Sequence, residues 1–249
     1  MKIIISPAKK MRVDTDTFPV KGMPQFLEKT KTLAQIMADM DYEELKVLWG
    51  CNDKLARLNY ERTVRMDLTR NLTPAIIAYE GLQYQHMSPG VFTDGALAYI
   101  EEHLRILSGF YGVLSPFDGV TPYRLEMQAP LRADGAGDLY EFWGDMPYGA
   151  VWDQDRILLN LASREYSQVI EKYLGPKDRM VTCVFGQLVE GRVRQKGTLA
   201  KMARGEMVRF LAENNISDME GIKGFSAMGY GFSREFSSDK ELVFLNGVL

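Results

Sequence analysis

Six polar residues stand where an α/β sheet would present a ligand. Ser6 and Lys9, in Ser6-Pro7-Ala8-Lys9-Lys10, follow the apolar run Lys2 to Ile5. Asn160 and Ser163 hold the same relation to the apolar run 157–162, and Ser108 lies near the end of a third, 105–109. In open α/β sheets, ligands gather beyond the carboxyl ends of the strands. Arg124, in Pro122-Tyr123-Arg124-Leu125-Glu126, carries a planar fork that fits phosphate or carboxylate. Its internal competitors are Glu126 and Asp118. Together these groups suit a nucleotide or another phosphate-bearing small molecule, so an enzyme acting on one is the alternative to a DNA-binding protein without catalysis, and no residue is assigned a catalytic role.

A second set of cations lies apart from these. The window 191–209 holds Arg192, Arg194, Lys196, Lys201, Arg204 and Arg209 against the single acid Glu206. Helical spacing over 198–213 puts Lys201 and Arg204 on one face, opposite an apolar stripe of Leu199, Ala203, Met207 and Phe210. The stretch 48–56 reads Leu-Trp-Gly-Cys-Asn-Asp-Lys-Leu-Ala between two helical patterns. That is the spacing of a helix-hairpin-helix, in which a glycine turn aims the free N–H groups of the second helix at a phosphate. Gly50 matches the first glycine. Asn52 replaces the second, and asparagine tolerates the left-handed region. Lys54 is placed to meet the phosphate, while Asp53 competes for the same amides or simply caps the helix. This reading gives a double-stranded DNA partner held through its backbone, without base specificity.

Other chemistry finds little support. His86 and His103 are the only histidines, neither lies in a motif, and no Gly-x-Ser-x-Gly elbow is present. Ser163, in Ser163-Arg164-Glu165-Tyr166, therefore reads as a helix cap before it reads as a nucleophile. Cys51 and Cys183 stand far apart, so neither a disulfide framework nor a zinc spacing arises. Metal ligands and cofactors are expected to be none, and the carboxylates Asp118, Glu126 and Asp145 are the only group that iron would find. The formal net charge of −3 means that any polyanion site is a local basic patch on an acidic body. No run reaches the roughly 18 to 20 apolar residues of a membrane span, and no signal peptide opens the chain. A cytoplasmic protein with no membrane partner is expected.

Positioning these residues requires strands alternating with helices. Strands are predicted at 2–6, 74–79, 157–162, 180–188 and 241–245, with a turn at Glu190-Gly191. Helices are predicted over 24–40, over 41–48 with Asp41 as cap, over 53–62, from a cap at Asp94, and over 198–213. Periodicity leaves 105–109 open between helix and strand. The stretch Asp134 to Asp138 reads as an exposed loop. The fold class is therefore α/β: a single intertwined domain over 1–249, with a mixed central sheet, flanking helices and a helix-hairpin-helix element at about 41–62.

Taken together, these segments resemble the YaaA family of peroxide-stress proteins. The matching blocks are Ile3 to Lys9, Asp53 to Ala56, Leu104 to Leu114, Pro122 to Met127, Asp138 to Asp145, Asn160 to Ser163, Ala203-Arg204-Gly205 and Glu241 to Phe244. They run in the family's order from residue 3 to residue 244. The resemblance implies one intertwined α/β domain in the cytosol. It also implies DNA binding through the hairpin and a basic cleft, and protection against hydrogen peroxide by restraint of free intracellular iron. Two blocks depart from the family pattern. Glu80-Gly81-Leu82-Gln83-Tyr84 stands where Lys-Gly-Asp-Val-Tyr is usual, and Ser115 stands where an arginine is usual. Cys51 is also rare in the hairpin turn. Both block changes remove positive charge.

Overall fold

The computed structural model describes residues 1–247. Eight strands form one sheet: β1 Lys2–Ile5, β2 Leu104–Ser108, β3 Gly112–Leu114, β4 Ile157–Leu161, β5 Arg179–Val189, β6 Arg192–Arg194, β7 Tyr230–Phe232 and β8 Glu241–Asn246. The order across it is β7-β8-β5-β4-β1-β2-β3, with β6 folded back on β5. The five central strands run parallel, and β3, β6 and β7 are antiparallel additions. Helices cover a parallel sheet on both faces, so its strands bury both sets of side chains. That is why β1 reads as an unbroken Ile3-Ile4-Ile5, each fully buried.

A reversal of chain direction opens a crevice in this sheet. From β1 the chain moves to β2 on one side, whereas from β4 it moves to β5 and then β8 on the other. β1 and β4 are neighbours, with Ile5 opposite Leu161. The loops leaving their carboxyl ends therefore part in opposite directions, and the space between them is the usual ligand position in such sheets.

Two local expectations need correction, and one open segment is resolved. Residues 74–79 are not a strand. Thr73–Pro74 pairs with Gly119–Val120, Ala75–Ala78 is one helical turn, and Tyr79–Glu80 pairs with Lys10–Met11. An apolar run of that length fits a buried turn of helix as well as a strand, and periodicity does not separate them. The helix Asp94–His103 is capped by Thr93, whose hydroxyl accepts from the Ala96 N–H, and not by Asp94. The segment left open at 105–109 is strand β2.

The helices Tyr42–Trp49 and Asp53–Val64 form a hairpin. Asp41 and Glu44 make a reciprocal capping box at the first. Gly50 is left-handed at φ 52°, which favours glycine there. Asn52 is not left-handed. Its backbone is extended, and its side chain caps the second helix by accepting from the Leu55 N–H at 3.1 Å. Leu45, Leu48 and Trp49 join a core cluster that also contains β1, β2, β4 and the interior of helix Gly197–Glu213. Among the described residues, no helix is long and apolar enough to cross a membrane.

Candidate functional site

Ser6 follows β1 and Ser163 follows β4, so both stand at the crevice between the diverging loops. The Ser163 N–H donates to Ser6 Oγ at 2.8 Å, and Ser6 Oγ donates to Ser163 Oγ at 3.2 Å. Ser163 occupies the cap position of helix Arg164–Glu171, yet its hydroxyl makes no capping bond. Its expected capping role is replaced by this link between strand ends. The Tyr84 hydroxyl donates to the Ser6 carbonyl at 2.9 Å and ties helix Leu82–Met87 to the same point.

Around these serines lies a recess of about 310 Å³. Its lining comes from five places: the loop 6–10, the segment 80–84, the segment 123–126, Ser163 with the start of helix Arg164–Glu171, and helix Gly197–Glu213. Two glycines permit this convergence. A Cβ on Gly205 would sit 2.1 Å from the Gln83 carbonyl oxygen, so only glycine lets helix Gly197–Glu213 lie against helix Leu82–Met87. A Cβ on Gly109 would sit 2.7 Å from the Leu125 carbonyl oxygen, so Gly109 admits the segment that carries Arg124 and Glu126. Both belong to blocks noted in the sequence, although spacing alone gives no hint of the contact.

Five cations border the recess, Lys9, Lys10, Arg124, Lys201 and Arg204, against three carboxylates, Glu80, Glu126 and Glu165. A local positive excess thus sits on a chain of net charge −3. The pairing is uneven. Glu126 serves two cations, Lys9 at 2.5 Å through Oε2 and Arg124 at 3.3 Å through Oε1. Lys10 pairs with Glu80 at 3.0 Å. Among the described residues, Lys201 and Arg204 have no carboxylate within ion-pair distance. Arg204 Nε and Arg124 Nε are shut off from solvent and donate to nothing among those residues. Burial pushes the Arg204 pKa down, the response of a charge deprived of water and of a counter-ion. Glu165 shows the opposite sign. Burial raises its carboxyl, and Glu126 nearby adds to that rise. The Gln128 N–H, long at 3.4 Å, the Met127 N–H and the nearby Lys9 act weakly against that rise.

Not every expected residue is here. Ser108 is fully buried, and its Oγ bonds the Tyr123 hydroxyl at 2.7 Å and accepts from the Phe110 and Tyr111 N–H groups. It lies one residue behind the lining, since Tyr123 does border the recess. Asn160 braces the sheet: its side chain accepts from the Ala162 N–H at 2.9 Å and donates to Thr182 Oγ1 at 3.1 Å. Gly50, Asn52 and Lys54 are absent from the lining, and at the hairpin Asp53 is paired with Lys46 at 2.5 Å. Of the basic window, Arg209 pairs with Glu213 and only Lys201 and Arg204 reach the recess. Arg204 is therefore not on a merely solvated face. Tyr84, Glu165, Tyr166 and Gln83 are lining residues to which the sequence assigns no site role, although all four fall in segments noted there. The apolar run ahead of Ser163 is the only signal that would have led to Glu165 and Tyr166. No signal leads to Gln83, which depends on a contact between helices far apart in sequence. Among the described residues, no three His, Cys, Asp or Glu side chains gather where they would hold a metal ion.

The comparisons with known proteins agree on one group. A family model described as peroxide stress protein YaaA matches residues 1–236. A UPF0246 protein of Pediococcus pentosaceus is 50% identical over 249 residues, covering 100% of this chain and 99% of that protein. UPF0246 proteins of Agathobacter rectalis and Desulfitobacterium hafniense are each 52% identical, over 244 and 248 residues. The first alignment covers 98% of both chains, the second 100% of this chain and 99% of its relative.

Proposed function

Because the chain belongs to the peroxide stress protein YaaA family, we propose that it serves the peroxide response by binding a phosphate-bearing small molecule in the recess between β1 and β4. One observation carries this reading: Arg204 borders the recess with its Nε shielded and, among the described residues, no carboxylate partner. Arg204 is half-buried, and an N–H shut off from water with no acceptor costs about 1–3 kcal/mol. A fold keeps such a donor where a ligand completes it. Arginine suits phosphate through its fork of donors, and the first amides of helix Arg164–Glu171, beside Ser163, add favourable dipoles.

Calorimetric titration with ribose 5-phosphate tests the reading. Saturable binding is expected, weakened at least about tenfold by Arg204→Gln. Absence of binding by any phosphate monoester at low salt would end it.

Duplex DNA is the second reading, and the hairpin supports it. Gly50 is left-handed, helix Asp53–Val64 starts in the open, and Lys54 and Arg57 are exposed near its start. DNA bound there through phosphates should fall off steeply with salt. Lys54→Glu should weaken all sequences alike, whereas salt-independent retardation on a gel would refute the assignment. Restraint of free iron is proposed to follow from ligand binding rather than from iron held by this chain, in the cytoplasm. Cells complemented with the Arg204→Gln protein should then lose peroxide protection and show raised free iron.

A further inference from the structure

We infer that the recess is shaped for a nucleoside monophosphate: a phosphate met by Arg204 and Lys201, and a flat, donor-bearing ring system met by tyrosines and by Glu165. The inference rests on the phosphate-binding reading above and adds what the remainder of the ligand must be.

A site for bare phosphate or polyphosphate has no use for carboxylates. This one contains three. Two are accounted for, since Glu80 holds Lys10 and Glu126 holds Lys9 and Arg124. Glu165 is not. It is partly buried, has no cation within ion-pair distance among the described residues, and is approached only by the Gln128 N–H at 3.4 Å, the Met127 N–H and the more distant charge of Lys9. A desolvated carboxylate with spare acceptor capacity calls for donors. Ring hydroxyls and exocyclic amines are donors, and phosphate oxygens are not. The two charge types come from separate elements: Lys201 and Arg204 from helix Gly197–Glu213, and Glu165 from helix Arg164–Glu171. A ligand anionic at one end and donor-rich at the other satisfies both.

Apart from Ser6, Gln83 and Ser163, the rest of the lining is largely apolar and aromatic. Tyr84, Tyr123 and Tyr166 border the recess together with Leu82 and Leu125. The rings are anchored: Tyr84 by its bond to Ser6, and Tyr123 by bonds to Tyr79 and Ser108. Each ring is only 4–6% exposed, so the protein fixes it and leaves its edge at the recess, and fixed aromatic edges suit contact with a planar heterocycle. Size points the same way. About 310 Å³ is at the small end of ligand cavities, enough for one mononucleotide.

The test titrates the full chain calorimetrically with the four common ribonucleoside 5′-monophosphates, ribose 5-phosphate, inorganic phosphate and adenosine. At least one nucleotide should bind about tenfold or more tighter than ribose 5-phosphate, and adenosine at least about tenfold weaker than its monophosphate. Lys201→Gln, at an exposed position, should weaken the nucleotide severalfold without unfolding the protein, which keeps the test sharp should Arg204→Gln fold poorly. Equal binding of ribose 5-phosphate and every nucleotide would overturn the inference and leave the phosphate site standing. Adenosine binding as tightly as its monophosphate, or no binding by any phosphate compound, would overturn both.

Discussion

Glu126 is the residue on which the charge balance of the recess turns. One carboxylate satisfies Lys9 and Arg124, so it is also the internal rival of any anion that enters. Its two bonds are not equal. Lys9 is 63% exposed and its pair is screened by water, whereas Arg124 is 9% exposed. Glu126→Gln keeps an acceptor for Arg124 but removes the charge. Stability should fall by about 1–3 kcal/mol, while affinity for ribose 5-phosphate rises severalfold. A melt and a titration on the same sample decide it, and reduced affinity would mean that Glu126 shapes the recess and does not compete for it. Asp118 gives a cleaner pH signature away from the site. It is buried, accepts from the Ser115 N–H at 2.8 Å, and burial pushes its carboxyl up to about 6. A raised carboxyl holds its proton longer in the folded chain than in the unfolded one. The stability it contributes is therefore complete below about pH 4 and is lost as pH rises through about 6. A rise of that size corresponds to about 3 kcal/mol. Asp118→Asn should match the parent near pH 4 and exceed its stability at pH 8, as read from urea unfolding at both. A gap that does not change with pH would contradict the assignment.

At the scale of elements, two helices meet because one residue has no side chain. Gly205→Ala places a methyl 2.1 Å from the Gln83 carbonyl, which is backbone and cannot step aside. Helix Gly197–Glu213 must lift from helix Leu82–Met87 and carry Arg204 with it. Overpacking of this kind costs about 1–3 kcal/mol or more, and ribose 5-phosphate binding should drop along with the melting temperature. Gly50→Ala makes the control. Nothing lies within 4 Å of that Cβ, so the cost is backbone strain alone, about 1 kcal/mol, with the recess untouched. Equal loss of binding in both variants would mean that the helix contact is not what sets Arg204. This contact also marks the limit of sequence reading. Runs such as Ile3-Ile4-Ile5 and 157–161 announce buried strands, and the carboxyl-end rule then points to Ser6 and Ser163. The Asp41 capping box and the left-handed Gly50 follow from local chemistry as well. Gln83 and Tyr84 do not, because they line the recess only through pairings with partners some 80 to 120 residues away. Ser108 and Asn160 sit at the predicted strand ends, yet their side chains turn into bonds of the fold itself. Position along a strand was legible, and side-chain commitment was not.

For the whole molecule, a single-domain organisation would make hairpin and sheet one cooperative body. The hairpin's Leu45, Leu48 and Trp49 share a core cluster with β1 and β4. Arg62 from its second helix donates to the Met11 carbonyl at 3.0 Å, next to the Lys10–Glu80 ion pair at the recess. Melting the hairpin would therefore expose core and loosen one wall of the site. The three tryptophans make this measurable. Trp49 lies in the hairpin and is 5% exposed. Trp143 is fully buried and donates to the Gly109 carbonyl at 2.9 Å, directly behind the recess. Trp152 packs against Tyr148 and Arg156 near β4. Fluorescence of the Trp143→Phe and Trp152→Phe double variant reports the hairpin, while far-UV circular dichroism reports every helix and strand. If the body is single, the two urea transitions coincide, and their shared midpoint moves upward together when ribose 5-phosphate is added. A fluorescence transition that comes first and ignores the ligand would make the hairpin a separate unit. The DNA reading would then belong to a module independent of the recess.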